Sequence, residues 1–201
     1  MRIKELAKCA KDDGALTLLD EVDEDGGVVR QYVMLPNRAI YPLDGMPMLN
    51  EQTLLTVMDV PREKHSFYEV VRSVMPERAR LMVEDKKLTD TELRRGTWSL
   101  GMNGLTLTPV FRWDMDTDVW FVETELLKVL ADERGVELAM RKVDGSAVIV
   151  AMVGLVTVAC FVPTSAHWRK DEAWQMHLAG RAGERVYHQF CDAEGNYASS
   201  D

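Results

Sequence analysis

Three aspartates at alternate positions, Asp114, Asp116 and Asp118, form a DxDxD run. Carboxylate oxygens so spaced suit a hard divalent cation, because calcium and magnesium select several oxygen ligands. An EF-hand loop would continue with glycine and close on a glutamate at its twelfth position. Here Val119 comes next, while Glu125 does fall at the twelfth place. That glutamate lies in a segment that reads as helix, which conflicts with a ligand loop. The run therefore reads more simply as an acidic turn, where aspartate is favoured for backbone reasons.

The other reactive side chains are scattered. His65, His167, His177 and His188 share no motif, and no GxSxG, HExxH, P-loop or GxGxxG pattern occurs. Packing or surface roles fit these histidines better than catalysis. Cys9, Cys160 and Cys191 are far apart, without a CxxC pair, so neither a disulfide framework nor a zinc site is indicated. Cys160, flanked by Ala159 and Phe161, reads as a small buried hydrophobe rather than a nucleophile. No cofactor is implied.

Cations could meet phosphates at Lys86-Lys87, Arg94-Arg95 and Arg141-Lys142, at Lys128 and Arg134, and at Arg2, Lys4, Lys8 and Lys11 near the start. Each group also reads as an ordinary solvated face. Trp98, Phe111, Trp113, Trp120 and Phe121 lack the spacing of a base-stacking platform and read as core.

The 201 residues carry 46% hydrophobic side chains, enough for one large domain or two small ones with proper cores. A net charge of −9 argues against a general nucleic-acid coat or a basic membrane-surface protein. The opening segment alternates apolar with charged residues and lacks the apolar core of a signal peptide. Residues 147–162 are too short and too rich in Val and Ile for a membrane helix, and Gly154 divides them into strand lengths. A cytoplasmic protein without a membrane partner is expected.

Positioning elements follow from periodicity. Residues 1–13 read as an amphipathic helix, and residues 16–22 and 28–35 as strands joined by an acidic, glycine-containing hairpin. A short strand is expected at 38–43 and a helix at 50–60, capped by Asn50 and stopped before Pro61. Residues 67–74 and 79–83 read as strands, and the polar stretch 84–95 as a loop or short exposed helix dividing two halves. Strands are expected at 98–100 and 105–113, with the acidic turn after them. From Val119 the pattern is strand, helix, then three strands. The helix spans 123–134, with Val122, Leu126, Leu127 and Leu130 on one face and Gly135 ending it. Val136, Leu138 and Met140 alternate with Glu137, Ala139 and Arg141, a half-buried strand, and Asp144-Gly145 makes the hairpin that follows. A closing helix is expected at 167–180 and an acidic tail at 192–201.

This predicts an α+β fold with an antiparallel-rich sheet and short helices, organised as an N-terminal helix (1–13), two α+β halves (14–95 and 96–191) and a tail. A weak half-repeat pairs 38–74 with 120–143, each a strand, a compact helix and a strand.

Two resemblances accompany these patterns. RAIYPLDGMPMLNEQTLLTVMDV at 38–60, with the opening RIKELAK, resembles a family of small proteins from prophage regions of Firmicutes, to which no activity is attached. Residues 121–163 are similar in pattern to the last part of DNA sliding-clamp domains: an apolar strand, the helix ETELLKVLAD, a strand, a DG turn and paired apolar strands ending in FVP. The resemblance implies strand–helix–three-strand units, two to a domain. It also implies a homo-oligomeric ring whose inner helices present Lys and Arg to DNA. The helix at 50–60 has no basic residue, and that at 123–134 has Lys128 and Arg134 against four acids. Protein contact suits this charge better than duplex binding.

The expected function is thus a non-enzymatic phage or prophage binding protein, clamp-like, acting on replication or host-defence machinery through a protein partner. The alternatives are a small-ligand-sequestering protein and a metal-dependent hydrolase, in which Asp114, Asp116 and Asp118 hold the ion and a histidine moves the proton. The hydrolase alternative requires calorimetric uptake of calcium, magnesium or manganese that disappears in Asp116→Ala. Flat titrations with all three ions remove it.

Overall fold

The computed structural model describes residues 1–97, 99–102, 104–112 and 119–164. The element order is α1 (Ile3–Asp13), β1 (Ala15–Val22), β2 (Val28–Leu35), β3 (Ala39–Pro42), α2 (Glu51–Val57), a 3-10 turn at Arg62–Phe67, β4 (Glu69–Val74) and α3 (Glu77–Val83). Then come β5 (Thr91–Arg95), β6 (Leu100–Met102), β7 (Leu105–Phe111), β8 (Val119–Glu123), α4 (Thr124–Lys128), β9 (Val136–Val143), β10 (Ser146–Val153) and β11 (Val156–Phe161). This is a mixed α+β fold whose few short helices pack on a large, mostly antiparallel sheet. Among the described residues no helix is long and apolar enough to cross a membrane, and the apolar stretch 147–162 forms β10 and β11.

Strand order is β4-β1-β2-β3-β11-β10-β9-β5-β7-β6, with β8 on the other edge of β7. Among the described strands only β1 and β4 run parallel. The strand path passes without a break through both expected halves, joined where β3 meets β11 through Ile40↔Cys160 and Ala39↔Phe161. β5 turns a corner: residues 91–93 pair with β9, and Arg94 and Arg95 pair with β7. Gly96 follows, so close to Pro109 that an added Cβ would stand 2.6 Å from its ring.

Both faces of the central strands are covered. On one, Leu6, Cys9 and Ala10 of α1, Leu54 and Leu55 of α2, and Leu126 and Leu127 of α4 pack over Leu18, Val33, Ile149 and Phe161. On the other, Ala79, Met82 and Val83 of α3 cover Ile40, Val148, Val150 and Cys160. Burial from both sides explains why β10 is an almost unbroken apolar run, the pattern of a strand with no wet face.

Beside the expected strand–helix–strand pair, present as β3-α2-β4 and β8-α4-β9, the chain holds a second repeat. A helix followed by a three-stranded antiparallel meander occurs twice, as α1-β1-β2-β3 and as α4-β9-β10-β11. A glycine in the left-handed region precedes the first strand of each, Gly14 at φ 65° and Gly135 at φ 70°. The units meet third strand to third strand, so the order β1-β2-β3-β11-β10-β9 reads alike from either end.

Several expectations are corrected. Residues 79–83 belong to helix α3, because Ala79, Met82 and Val83 recur at the spacing of one helical face behind Pro76. The stretch 84–95 contains the strand β5 instead of forming only a loop or exposed helix. The helix expected over 123–134 is regular only through Lys128 and then tightens, with Leu130 N–H donating to Leu127 O (3.1 Å) and Glu133 N–H to Leu130 O (2.9 Å). The Val129 carbonyl, which a continuing helix would offer to Glu133, accepts from Arg2 N–H at 2.6 Å. β9 is buried on both faces from Leu138 to Arg141 instead of alternating. The expected elements at 167–180 and 192–201 lie outside the described residues.

Local signals hold where they are self-contained. Asp144 and Gly145 take φ 49° and 76°, both positive as a tight hairpin turn demands. Asn50 Oδ1 accepts from the backbone N–H of Gln52 and Thr53, while the Thr53 hydroxyl accepts from Asn50 N–H at 2.7 Å. Removing this reciprocal cap in Asn50→Ala should lower stability by about 1 kcal/mol, read by urea denaturation, with Asn50→Asp recovering most of it.

Candidate functional site

The expected phosphate-facing cations do not converge. Lys86 lies at the β10–β11 turn, where its N–H donates to Leu155 O, and Lys142 beside the β9–β10 turn, at opposite ends of an eight-residue strand. That strand separates them by roughly 25 Å. Lys87 pairs with Glu84, and Lys128 with Glu125. Arg94 and Arg95 are exposed at the β5 corner, and Arg134 is exposed just before Gly135. On the helical face Arg2 pairs with Asp132, Lys4 with Asp59 and Lys8 with Glu5. Arg2, Lys4 and Lys8 therefore sit among carboxylates, while Lys11 is exposed near the end of α1.

Arg141 is the clear departure. It is 1% exposed, so it cannot reach a phosphate. Its guanidinium donates to both carboxylate oxygens of Asp90 (2.8 and 2.6 Å) and to the carbonyls of Met82 (3.1 Å), Glu84 (2.7 Å) and Asp85 (3.2 Å). It thus satisfies the open carbonyls at the end of α3 while its charge is balanced. Burial alone would raise the Asp90 carboxyl, but the hydrogen bonds from Arg141 and from Lys87 N–H outweigh it and hold the carboxyl below its ordinary 3.8.

Nothing described is arranged as a nucleophile. Burial pushes the Cys160 thiol up to about 12. His65 Nε2 lies 2.9 Å from Val60 O and engages the backbone. Among the described residues no group of three or more His, Cys, Asp or Glu side chains could hold a metal ion. Asp114, Asp116, Asp118, His167, His177, His188 and Cys191 lie outside the described residues, as do Trp98 and Trp113. Phe111, Trp120 and Phe121 are buried.

Two surfaces remain with the character of binding sites. The first is β4, an edge strand exposed along nearly its whole length. Glu69 and Met75 donate their N–H groups toward β1 (2.8 Å each), so the alternate residues Val70, Arg72 and Val74 turn their backbone groups outward. Among the described residues no strand pairs with that side. Val71 is 47% exposed, Val74 59% and the preceding Phe67 73%, an apolar fringe beside backbone that no described strand pairs with. Asp20 anchors the edge from behind, accepting from Arg72 Nε (2.6 Å) and from the buried Gln31 (2.7 Å).

The second is a half-open cleft of about 780 Å³ where the β2–β3 turn, the β9–β10 turn and the first turn of α3 come together. Met34, Ile40, Met82 and Val148 line it from the α3 side of the sheet, and Trp120 and Met140 from the other. Its charged lining among the described residues is wholly cationic: Arg38, Arg78, Arg112 and Lys142. Sequence reasoning named Lys142 but missed the three arginines, which are far apart in the chain and carry no local pattern.

Comparison with family models, with curated proteins and with solved structures finds no match to this chain.

Stability should depend on the Arg141–Asp90 pair in a defined direction. Arg141→Ala leaves Asp90 and several carbonyls buried without their partner and should cost roughly 3–5 kcal/mol in chemical denaturation. Because the folded-state value of Asp90 is depressed, its contribution is present above the ordinary 3.8 and is lost as pH falls through the folded value. The acid-side slope of stability against pH should therefore flatten in Asp90→Asn.

Proposed function

We propose that this chain is a non-enzymatic binding protein of phage or prophage origin, built on a clamp-like scaffold, that engages replication or host-defence machinery through protein contacts. The observation that carries the reading is the doubled helix–three-strand unit, joined strand to strand across β3 and β11 with α1 and α4 side by side. The resemblance to sliding-clamp domains implies strand–helix–three-strand units, two to a domain, and the doubling of the helix and its three strands supports that reading. The phage or prophage part rests on the resemblance of residues 38–60 and the opening RIKELAK.

Charge directs the reading toward protein rather than duplex. A helix layer that encircled DNA would need uncompensated Lys and Arg facing the phosphates. Here Arg2, Lys4, Lys8 and Lys128 are each matched by a carboxylate on the same layer. The exposed β4 edge supports strand addition, in which main-chain hydrogen bonds supply affinity and alternate side chains supply selectivity. The same edge serves self-assembly into a dimer or ring.

At micromolar concentration the wild-type chain should sediment as an oligomer, and Val71→Lys with Val74→Lys should shift it to monomer with an unchanged circular dichroism spectrum. A strictly monomeric wild type counts against assembly. Capture from host lysate should enrich replication or defence proteins with the wild type and lose them with the edge variant; equal recovery with both places the contact elsewhere.

A further inference from the structure

The cleft beside α3 has a chemistry that edge pairing does not use. Its volume of about 780 Å³ is that of a small-molecule site, roughly 300–1,000 Å³. Three methionines, Met34, Met82 and Met140, line it together with Trp120. Unbranched thioether side chains adapt to the shape of an apolar guest and make favourable contacts with aromatic rings.

The charge is one-sided. In a chain of net charge −9, the described lining holds four cations and no carboxylate. They differ in what they can offer a guest. Arg38 is engaged by Asp13 and Glu123 and by the Cys9 carbonyl. Arg78 faces only a loose contact with Asp144 at 4.0 Å, with both side chains about 60% exposed, and such exposed pairs hold little energy. Lys142 is exposed at the end of β9. Arg78 and Lys142 thus stand on two different elements, α3 and β9, and both line the same cavity.

We propose that this cleft binds a small amphipathic anion, its carboxylate or phosphate head drawn to Arg78 and Lys142 and its apolar body lying against Met34, Met82 and Trp120. Arg78 exchanges a weak, solvated contact for a charge-assisted hydrogen bond, which is the stronger interaction. The adaptable methionines accept either an aliphatic or an aromatic body.

The test is methyl NMR on the full chain carrying 13C-methyl methionine, titrated separately with octanoate, phenyl phosphate and the uncharged 1-octanol. Octanoate or phenyl phosphate should shift the Met34 and Met82 methyls saturably while leaving Met48, 58% exposed and outside the cleft lining, in place. 1-Octanol should bind at least tenfold more weakly. Arg78→Glu with Lys142→Glu should weaken the anions at least tenfold and leave 1-octanol unchanged. Both side chains are exposed, and the wild-type comparison of octanoate with 1-octanol needs no variant to fold. Equal affinity for anion and alcohol, no response at Met34 and Met82, or anion binding indifferent to the charge reversal would each overturn the proposal. Sedimentation of the ligand-free chain tests the edge separately, so either reading can fail alone.

Discussion

The buried contact of Arg141 with Asp90 and the end of α3 is the constraint on which much of the architecture depends. Removing two charges from water is unfavourable unless they are paired and their remaining hydrogen-bonding groups satisfied. Here the carboxylate accepts on both oxygens from one guanidinium and also from Lys87 N–H (2.9 Å), and the remaining guanidinium donors go to backbone carbonyls. That arrangement joins β9 to a segment some fifty residues earlier in the chain, the C-terminus of α3 and the stretch leading into β5. With α3 held there, Ala79, Met82 and Val83 close the second face of the sheet. The opposite end of the same short helix then stands as the wall of the cleft, so one polar cluster positions both a core and a cavity.

A second set of polar contacts ties the two helix–strand units together. The Arg38 guanidinium, at the start of β3, reaches Asp13 at the end of α1 and Glu123 at the start of α4. Tyr41 donates its hydroxyl to Leu126 O (2.9 Å) while its ring meets Phe161 edge-on at 5.9 Å. Burial raises the Tyr41 phenol well above its ordinary value, so it remains a donor. The N-terminus adds Arg2 N–H on Val129 O and an ion pair between the amino group of Met1 and Glu133. These contacts cross the join between the units at both of its levels, helix against helix and strand against strand. They make the doubled unit one packed body around a shared core.

The edge strand and the cleft follow from the same economy of elements. Among the described residues one short helix covers the α3 side of the sheet, and it lies over β9, β10 and β11. β4, at the edge, keeps Val71 and Val74 in solvent. A cleft likewise opens where the β2–β3 turn and the first residues of β10 pass beyond the helix.

The sequence by itself determined the elements whose cause is local. The hairpins at Asp23–Gly27 and Asp144-Gly145, the amphipathic first helix and the Asn50 cap could be read because their signals lie within a few residues. Tertiary structure decided everything that rests on a distant partner. Helix α4 ends early because Arg2 takes the Val129 carbonyl. Arg141 is internal because Asp90 and the carbonyls at and just beyond the end of α3 accept its hydrogen bonds, at a position whose alternation with Met140 pointed it toward solvent. Residues 84–95 supply a strand because β9 and β7 offer it ladders on two edges. The cleft cations come together only when turns from both units and the first turn of α3 meet. Backbone preference acts over a few residues, whereas desolvation and charge pairing act over whatever the fold brings into contact. Hence the scaffold's local grammar was legible, and its binding surfaces were not.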